Sequence, residues 1–367
     1  MKELNKPNDE VAPEEAGIRG SVMEDTRPPQ EDTPALVEWL LRRYFVTGWD
    51  NQFVERLELI LKRDVDGNLL PQGKMFRMER KGVTVTAASQ DGKTTMVVQV
   101  FKRLFDDGFT DTKCGKHIAY CRLRGDATVK SVCMDLCRTT GYYNFPSKLT
   151  RAEAHELATH RLRLAGVKIL VIDEAHNLLG KNEPVNLFLK TLAQDSGGFS
   201  VILIGTPKVR EFVYERSENM EMAERYLDLP LLPFERPQTV ALINGAVERL
   251  ARDAGVDLAP SIRFDPYFGD RIYDGCRGSL GRCMFLIAMA TVRALEEGGD
   301  TVDIEDFKRI FDLKYLHYNP DNPFNISDWA SRAGAAMIDD AASSKSVKTA
   351  KPKRKRGRSR KNSGAAA

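Results

Sequence analysis

Residues 82–95 read GVTVTAASQDGKTT and decide the fold of this 367-residue chain. The stretch begins with a short β-branched strand, and residues 93–106 place apolar side chains on one helical face. The loop between them ends in Gly-Lys-Thr. In such a strand–loop–helix unit, backbone N–H groups and the positive end of the helix dipole converge on phosphate oxygens. The stretch therefore predicts a phosphate-binding loop, or P-loop.

Each polar group of this loop has a predicted task. Lys93 is expected to neutralise β- and γ-phosphate charge, and the Thr94 hydroxyl is expected to bind Mg²⁺. Ala87 occupies the position of the first glycine in the GxxxxGKT pattern. The alternative interpretation is therefore that Gly-Lys-Thr occurs at this helix start by chance. The predicted nucleotide-binding residues of the loop are Ala88, Ser89, Gln90, Asp91, Gly92, Lys93, Thr94 and Thr95.

A second signal follows about 80 residues later, where the apolar run Ile169–Ile172 ends in Asp173 and Glu174. At the carboxyl end of a buried strand, Asp173 is placed to hold Mg²⁺ through water. Glu174 is placed to polarise an attacking water. The alternative is a strand that ends in two solvated acids.

Two further residues are weaker candidates for work on the γ-phosphate. Thr206 follows the apolar strand 199–204 and would act as a sensor, although Gly-Thr-Pro also explains a simple turn. Arg225 would reach the nucleotide of a neighbouring subunit as an arginine finger. Any surface arginine would look the same, and Glu224 beside it suggests a local ion pair.

Strands and helices alternate through the first two thirds of the chain, which predicts an α/β fold with a parallel sheet and helices on both faces. Past Pro237 the pattern is helical, so a small all-helical lid should follow. The expected divisions are an acidic, disordered head, an α/β domain with an N-terminal helical extension, the lid, and an irregular segment with a basic tail. Their bounds are 1–33, 34–236, 237–317 and 318–367.

Composition narrows the class of protein further. The sequence contains no run of eighteen apolar residues, so no transmembrane helix is expected. The amino terminus does not resemble a secretory signal. The six cysteines are expected to be reduced thiols. Ten Lys and Arg and no acid lie within 345–361, whereas residues 1–33 carry nine acids and four bases. The basic arm therefore predicts contact with nucleic acid or docking to a partner, and it also looks like a nuclear localisation signal.

Together these features resemble P-loop AAA+ ATPases, and within them the TniB/TnsC family of transposition ATPases. The resemblance runs from about Tyr44 to Phe311. The stretches that carry it are YFVTGW, MVVQVFKRLF, VKILVIDEAHNLLGKN, NLFLKTLAQDSGGFSVILIGTPKVREFV, AERYLDLPLLPFE and GSLGRCMFLIAMATVRALEEGGDTVDIEDF.

The resemblance implies a bacterial, cytoplasmic, DNA-associated protein that uses ATP and Mg²⁺. Such proteins form rings or helical filaments on double-stranded DNA, mark a target site and recruit a transposase, often with a TniQ-like partner; no membrane is involved. Lys93, Thr94 and Thr95 take the nucleotide-binding role, and Arg225 is finger-like. In the lid, Arg282 and Arg277 are both candidates for the second sensor.

The same resemblance points to the loops 125–130 and 146–151 as the DNA-facing surface. The DNA-binding candidates there are Lys130, Lys148, Thr150 and Arg151. A solvated charged face is the alternative for each of them. Because a ring sums weak phosphate contacts from many subunits, a nearly neutral body is compatible with DNA binding.

Two other functions share the same residues. One is a different AAA+ ATPase, such as an initiator-like, helicase-loader-like or secretion-type enzyme. The other is a nucleotide-switched DNA scaffold with little turnover, for which the departure at Ala87 leaves room.

Overall fold

A computed structural model describes residues 26–125, 127–179, 185–194, 198–216, 220–317, 321–327 and 329. The acidic head before residue 26 and the basic tail lie outside these described residues. The strands are β1 (Leu61–Arg63), β2 (Leu69–Gly73), β3 (Met75–Phe76), β4 (Glu79–Arg80), β5 (Gly82–Thr86), β6 (Ile118–Arg122), β7 (Ile169–Asp173), β8 (Ser200–Gly205), β9 (Tyr226–Pro230), β10 (Asp257–Leu258) and β11 (Thr301–Val302).

The helices alternate with these strands and then dominate the last third of the chain. They are α1 (Thr33–Leu41), α2 (Gly48–Ile60), α3 (Lys93–Leu104), α4 (Val129–Thr139), α5 (Arg151–Leu164), α6 (Val185–Ala193), α7 (Pro207–Arg210), α8 (Met220–Ala223), α9 (Arg236–Ala254), α10 (Pro260–Arg263), α11 (Phe268–Gly275), α12 (Leu280–Glu296) and α13 (Ile304–Lys314).

A five-stranded sheet in the order β6-β7-β8-β5-β9 forms the centre, and all its pairs are parallel. The strands therefore share two edges, which we call the carboxyl edge, where they end, and the amino edge, where they begin. The P-loop follows β5 at the carboxyl edge, and Asp173 is the last residue of β7 at the same edge. This confirms the predicted parallel α/β sheet.

Both faces of this sheet are covered by helices, as predicted. Side chains of α4, α5 and α6 pack with alternate residues of the inner strands on one face. Side chains of α2 and α3 pack with the intervening residues on the other face. Because Leu170 and Ile172 point to one face while Ile169 and Val171 point to the other, every residue of β7 is buried. Burial on both sides explains why this strand reads as a continuous apolar run.

The analysis of the sequence missed the fifth strand and two hairpins. β9 is an outer strand of the sheet, so it needs apolar side chains on only one face. In addition, Asp228 interrupts its apolar pattern. Two antiparallel pairs, β1 with β2 and β3 with β4, precede β5 at the amino edge. β1, β3 and β4 have only two or three residues, and Pro71 interrupts β2, so no alternating pattern identifies these strands.

The helical lid contains α9 to α13 around one apolar core. Its predicted all-helical composition needs a correction, because β10 and β11 form a short parallel pair there. A second difference concerns α1, which the sequence analysis assigned to the α/β domain. Its buried side chains Leu36, Trp39 and Leu40 pack instead with α9 and α12 of the lid. Phe324, beyond the predicted end of the lid, joins the same core.

The chain thus enters the lid first, crosses to the sheet and returns to the lid. The crossing between α1 and α2 is held by a cluster around Asp50, whose side chain is fully buried. Asp50 accepts hydrogen bonds from the Tyr44 hydroxyl at 3.0 and 2.9 Å and from the Thr47 N–H at 2.9 Å. It also pairs with Arg103 in the last turn of α3. The crossing is therefore tied to the helix that follows the P-loop.

Candidate active site

The P-loop of residues 87–92 places its glycine where the backbone requires one. Gly92 caps α3 in the left-handed region with φ of 82°, and nothing lies within 4 Å of the position a Cβ would take. This leaves an open cradle above the helix start. Ala87 is buried and its φ is negative, so the alanine is accommodated without backbone strain. Gln90, with φ of 70°, carries the unusual conformation instead.

Lys93 points back across this loop, where its ammonium donates to the Ala88 carbonyl oxygen at 2.6 Å. Burial lowers the pKa of Lys93, while the nearby charges of Asp91, Glu174 and Asp173 oppose that shift. The amino group thus occupies a site surrounded by backbone groups and carboxylates. An anion that enters the cradle would replace a single carbonyl as its partner.

Thr94 and Asp173 are brought together, although they lie 79 residues apart. The Thr94 hydroxyl donates to Asp173 Oδ2 at 2.9 Å. The Tyr120 hydroxyl donates to the same oxygen at 2.6 Å, and the Glu174 N–H donates to Asp173 Oδ1 at 2.8 Å. Burial and this contact raise the pKa of Tyr120, so its hydroxyl stays protonated. The sequence analysis missed Tyr120, because nothing in the strand pattern distinguishes it from a core aromatic.

Glu174 begins the turn after β7 in the left-handed region, with φ of 54°. Its carboxylate lies 4.0 Å from Arg122 and 3.4 Å from His176 Nδ1, and about a third of its side chain is exposed. A non-glycine residue in this conformation is uncommon and costs about 1 kcal/mol or more. The carboxylate follows the end of β7 and is partly accessible to solvent at the carboxyl edge.

Thr206 follows β8, which lies between the strand of Asp173 and the strand of the P-loop. Its hydroxyl oxygen is buried and has no hydrogen-bond partner among the described residues. A buried hydroxyl without a partner costs about 1–3 kcal/mol. The position and the unmet hydrogen bond fit a group that meets a phosphate or an ordered water.

The lid closes over the P-loop through the start of α12. The Ser279 hydroxyl donates to Asp91 Oδ1 at 2.8 Å, and Arg282 Nε donates to Gln90 Oε1 at 3.1 Å. A Cβ at Gly281 would come within 2.0 Å of the Gln90 carbonyl oxygen, so only glycine permits this approach. Arg282, one of the two candidates for the second sensor, therefore contacts the loop.

A small cavity lies beside this contact, where the P-loop, the start of α2 and the lid meet. Trp49 and Phe234 stack there with ring centroids 4.5 Å apart, and the Trp49 indole donates to the Leu232 carbonyl at 2.9 Å. The residues lining the cavity are Trp49, Asp91, Leu231, Pro233, Phe234, Thr239, Gly278 and Leu280. The sequence did not predict this cavity, because its lining combines residues from four distant segments.

Arg225 lies far from this site within the same chain. It precedes β9 at the amino edge, and its carbonyl accepts the Gly82 N–H at 2.9 Å. Its guanidinium is held locally, with Nε 2.8 Å from Glu79 Oε2 and Nη1 donating to the Glu221 carbonyl at 2.8 Å. Glu224, the partner that the sequence suggested, forms no ion pair with Arg225, whose carboxylate neighbours are Glu79 and Glu221. Arg225 therefore cannot serve the nucleotide site of its own chain.

The DNA-binding candidates lie together near the carboxyl edge, at the adjacent starts of α4 and α5. Thr150 caps α5, accepting the Glu153 N–H at 3.2 Å, so its hydroxyl oxygen has a structural task. The charge of Lys130 helps to lower the pKa of Glu153, which places the two side chains close together. Lys148 and Arg151 are exposed and make no ion pair with any described residue.

Neither a metal cluster nor a membrane span is evident in the described ranges. No group of three or more His, Cys, Asp or Glu could hold an ion there. No single described helix is long and apolar enough to cross a membrane; the bent pair α11 and α12 meets that test by length and composition only.

The sheet order, the P-loop and the acidic strand end are features of a P-loop nucleotide-binding α/β fold. Residues 77–213 match the family model described as AAA domain. That range includes the P-loop, Asp173, Glu174 and Thr206, and four of the five strands of the central sheet.

Two solved structures are similar to this chain. The Aeropyrum pernix ORC1 protein in complex with DNA matches with a TM-score of 0.52 at 18% identity, over 75% of this chain and 68% of that one. Cdc6p from Pyrobaculum aerophilum matches with a TM-score of 0.48 at 15% identity, over 62% of this chain and 59% of that one. This chain therefore spans less than two thirds of the Cdc6p chain. No curated protein sequence matches it.

Proposed function

We propose that this protein is a Mg²⁺-dependent ATPase whose nucleotide state controls its assembly on DNA. The contact that carries the proposal is the 2.9 Å hydrogen bond from the Thr94 hydroxyl to Asp173. A hydroxyl and a carboxylate at this distance, beside an open phosphate cradle, form the oxygen donor set that Mg²⁺ prefers. The residues present therefore fit the ion and the nucleotide.

Each side chain of the site then has a defined task. Lys93 leaves the Ala88 carbonyl to pair with the β- and γ-phosphates, and the N–H groups of the loop hold their oxygens. Glu174 orients and polarises the attacking water. Thr206 offers its unpaired hydroxyl to the γ-phosphate. Mg²⁺, when bound, supplies positive charge that offsets the charge developing on the phosphate oxygens.

The cavity lined by Trp49 and Phe234 is the proposed site for the base of the nucleotide. Its aromatic wall supplies stacking area, and its position beside Asp91 is close to the P-loop. Because Leu280 and Gly278 of the lid line the same cavity, a bound base would contact both the lid and the sheet core. Nucleotide exchange would then change the position of the lid.

On DNA, we infer a regulator of transposition that assembles as a ring or filament around the duplex and recruits a transposase, with a TniQ-like protein as a further partner. The extent of the TniB/TnsC resemblance, from Tyr44 to Phe311, supports this inference. The basic tail and the exposed Lys148 and Arg151 supply charges for phosphate contacts. We place this activity in the bacterial cytoplasm.

An initiator-like function is a second candidate, favoured by the fold shared with the ORC1 protein, whose structure was solved with DNA. It would use the same ATPase residues, so mutations in the site do not separate the two. The neighbouring genes separate the two functions. A transposase gene next to this gene would support transposition. A replication gene there, with no transposase gene, would support the initiator-like function.

The first experiment is negative-stain electron microscopy of the full chain with duplex DNA, in the presence of a slowly hydrolysed ATP analogue or of ADP. Rings or filaments seen with the analogue and DNA, but not with ADP, would support an assembly switch. Monomers in every condition would contradict it. Deletion of residues 345–367 should flatten the salt dependence of DNA binding, and an unchanged slope would remove the tail from the DNA contact.

A further inference from the structure

Tyr120, the middle residue of β6, carries a hydroxyl that its apolar surroundings do not require. Its side chain is 5% exposed and lies in the same apolar core as the buried residues of α3. Its ring stacks with that of Phe109, with centroids 6.5 Å apart and planes inclined by 29°. A phenylalanine would fill this space equally well, so packing alone leaves the hydroxyl without a role.

The parallel register of β6 and β7 directs this hydroxyl to Asp173. Tyr120 lies opposite Val171, and both side chains pack on the face of the sheet that α3 covers. Side chains two positions apart on a strand share a face, so Asp173 points to the same side as Val171. The Tyr120 hydroxyl therefore reaches Asp173 from the neighbouring strand, whereas the Thr94 hydroxyl reaches it from the start of α3.

Three hydrogen-bond donors surround the buried carboxylate of Asp173 and occupy most of its acceptor positions. A carboxylate offers about four such positions, two on each oxygen. Oδ2 accepts from the Thr94 hydroxyl at 2.9 Å and from the Tyr120 hydroxyl at 2.6 Å, and Oδ1 accepts from the Glu174 N–H at 2.8 Å. With these described donors in place, one position on Oδ1 stays available for a water molecule that Mg²⁺ binds.

The two hydroxyls on Oδ2 differ in what they can do once the ion is present. Thr94 is expected to bind Mg²⁺ through the same hydroxyl that it donates to Asp173, so its hydrogen bond is not a fixed restraint. Within the part of the chain that the structure describes, the Tyr120 hydroxyl has no hydrogen-bond partner besides Asp173. Its 2.6 Å contact has the length typical of a hydroxyl that donates to a charged oxygen. Tyr120 is therefore the side chain that can hold the carboxylate throughout.

We propose that Tyr120 is a positioning residue for Mg²⁺, because it holds Oδ2 of Asp173 and thereby keeps the open position of Oδ1 available to the ion's water. Without its hydroxyl, Oδ2 would keep only the hydrogen bond from Thr94, and the carboxylate would be freer to rotate. Groups that orient the ligands of a metal ion in this way typically change its affinity about 10- to 100-fold. This inference rests on the proposed ATPase function.

Tyr120→Phe tests the role of the hydroxyl, because it keeps the ring and its packing. The measurement is the affinity of the full chain for a fluorescent, non-hydrolysable ATP analogue, in Mg²⁺ and in EDTA, so turnover does not enter. The ratio of the two affinities gives the contribution of the ion. In Tyr120→Phe this ratio should fall about tenfold, while the affinity in EDTA stays within about twofold of wild type. A ratio equal to that of wild type would overturn the proposal.

Tyr214→Phe is the matched control, because it also removes a hydrogen-bonded tyrosine hydroxyl beside the central sheet. The Tyr214 hydroxyl lies 3.1 Å from Thr84 Oγ1 and donates to the Tyr226 carbonyl at 3.1 Å, away from Asp173. If the Tyr120 hydroxyl acts on the ion, only Tyr120→Phe should lower the affinity ratio. An equal fall in both variants would assign the effect to a general loosening of the sheet and would contradict the positioning role.

A double-mutant cycle tests whether Tyr120 acts through Asp173. Asp173→Asn should itself lower the affinity ratio, and Tyr120→Phe should then change it less than about twofold further. A second fall as large as that of Tyr120→Phe alone would show that the tyrosine acts independently of Asp173, against the proposal.

The wild-type chain separates a failure of this inference from a failure of the proposed function. If wild type binds no nucleotide in either condition, the ATPase proposal fails and the role of Tyr120 fails with it. If Mg²⁺ tightens nucleotide binding equally in wild type and in Tyr120→Phe, the ATPase proposal stands and the role of Tyr120 is refuted.

Discussion

The sheet core and the lid of this protein are assembled from the chain in opposite ways. In the core, the three strands β6, β7 and β8 are neighbours in chain order, and the candidate site residues lie at the ends of the adjacent strands β7, β8 and β5. In the lid, α1 packs with helices that follow it by about 200 residues. Local sequence thus determines the chemistry of the core, whereas the lid depends on contacts between distant segments.

The largest expected effect is at the carboxyl edge of the core. Glu174→Gln keeps the size of the side chain but cannot polarise water, so ATP turnover should fall about 10²- to 10⁴-fold. ATP binding should remain within about twofold of wild type. Phosphate release and binding of a fluorescent nucleotide measure the two quantities.

Lys93→Ala provides the contrasting variant, because it removes the charge that meets the phosphates and should lose binding as well as turnover. If Glu174→Gln hydrolyses ATP at the wild-type rate, Glu174 is not the residue that activates water. If Lys93→Ala binds normally, the P-loop does not hold the phosphates.

The next effect concerns the crossing between the lid and the core. Asp50→Ala leaves Arg103 without its carboxylate in a site where only 12% of the arginine side chain is exposed. Breaking one partner of a buried pair costs about 3–5 kcal/mol in the free energy of unfolding. Urea denaturation measures it, with Glu55→Ala on the exposed face of α2 as the control expected within about 0.5 kcal/mol. A loss of less than about 1 kcal/mol would show that the cluster does not stabilise the crossing.

The assignment of α1 to the lid predicts a smaller and more localised effect. Leu40→Ala should cost about 2–4 kcal/mol and Leu57→Ala a similar amount, since both side chains are buried. Their locations differ, because Leu40 lies in the lid core and Leu57 in the sheet core. Hydrogen exchange should therefore lose protection in α9 and α12 for Leu40→Ala, and in α3 and β5 for Leu57→Ala. If Leu40→Ala instead loses protection in α3, α1 belongs to the α/β domain and not to the lid.

The difference between local sequence signals and contacts of distant segments also explains which features the sequence predicts. The P-loop, Asp173 and Glu174 are each recognisable because a turn or a strand end dictates the neighbouring residue types. Tyr120 and the wall formed by Trp49 and Phe234 were missed, because their importance comes from a partner more than 50 residues away. Arg225 was predicted as a candidate and stays a prediction, whereas its pairing with Glu79 was not predicted, because the β3–β4 hairpin is too short to recognise.

The smallest expected effect is a pH dependence confined to the core. Burial lowers the pKa of His155, whose Nε2 lies 3.1 Å from the Thr191 hydroxyl and whose ring meets Phe188 edge-on. The folded protein then binds this proton less readily than the unfolded chain, so stability is lost as pH falls from about 6.5 through the lower folded pKa. Residues 236–314 contain no histidine, so protection of the lid helices should change little between pH 7.5 and 5.5.

Hydrogen exchange at the two pH values, corrected for intrinsic rates, should show selective loss in α5 and α6. His155→Gln should remove most of that loss, and an equal loss in the variant would assign it to other groups.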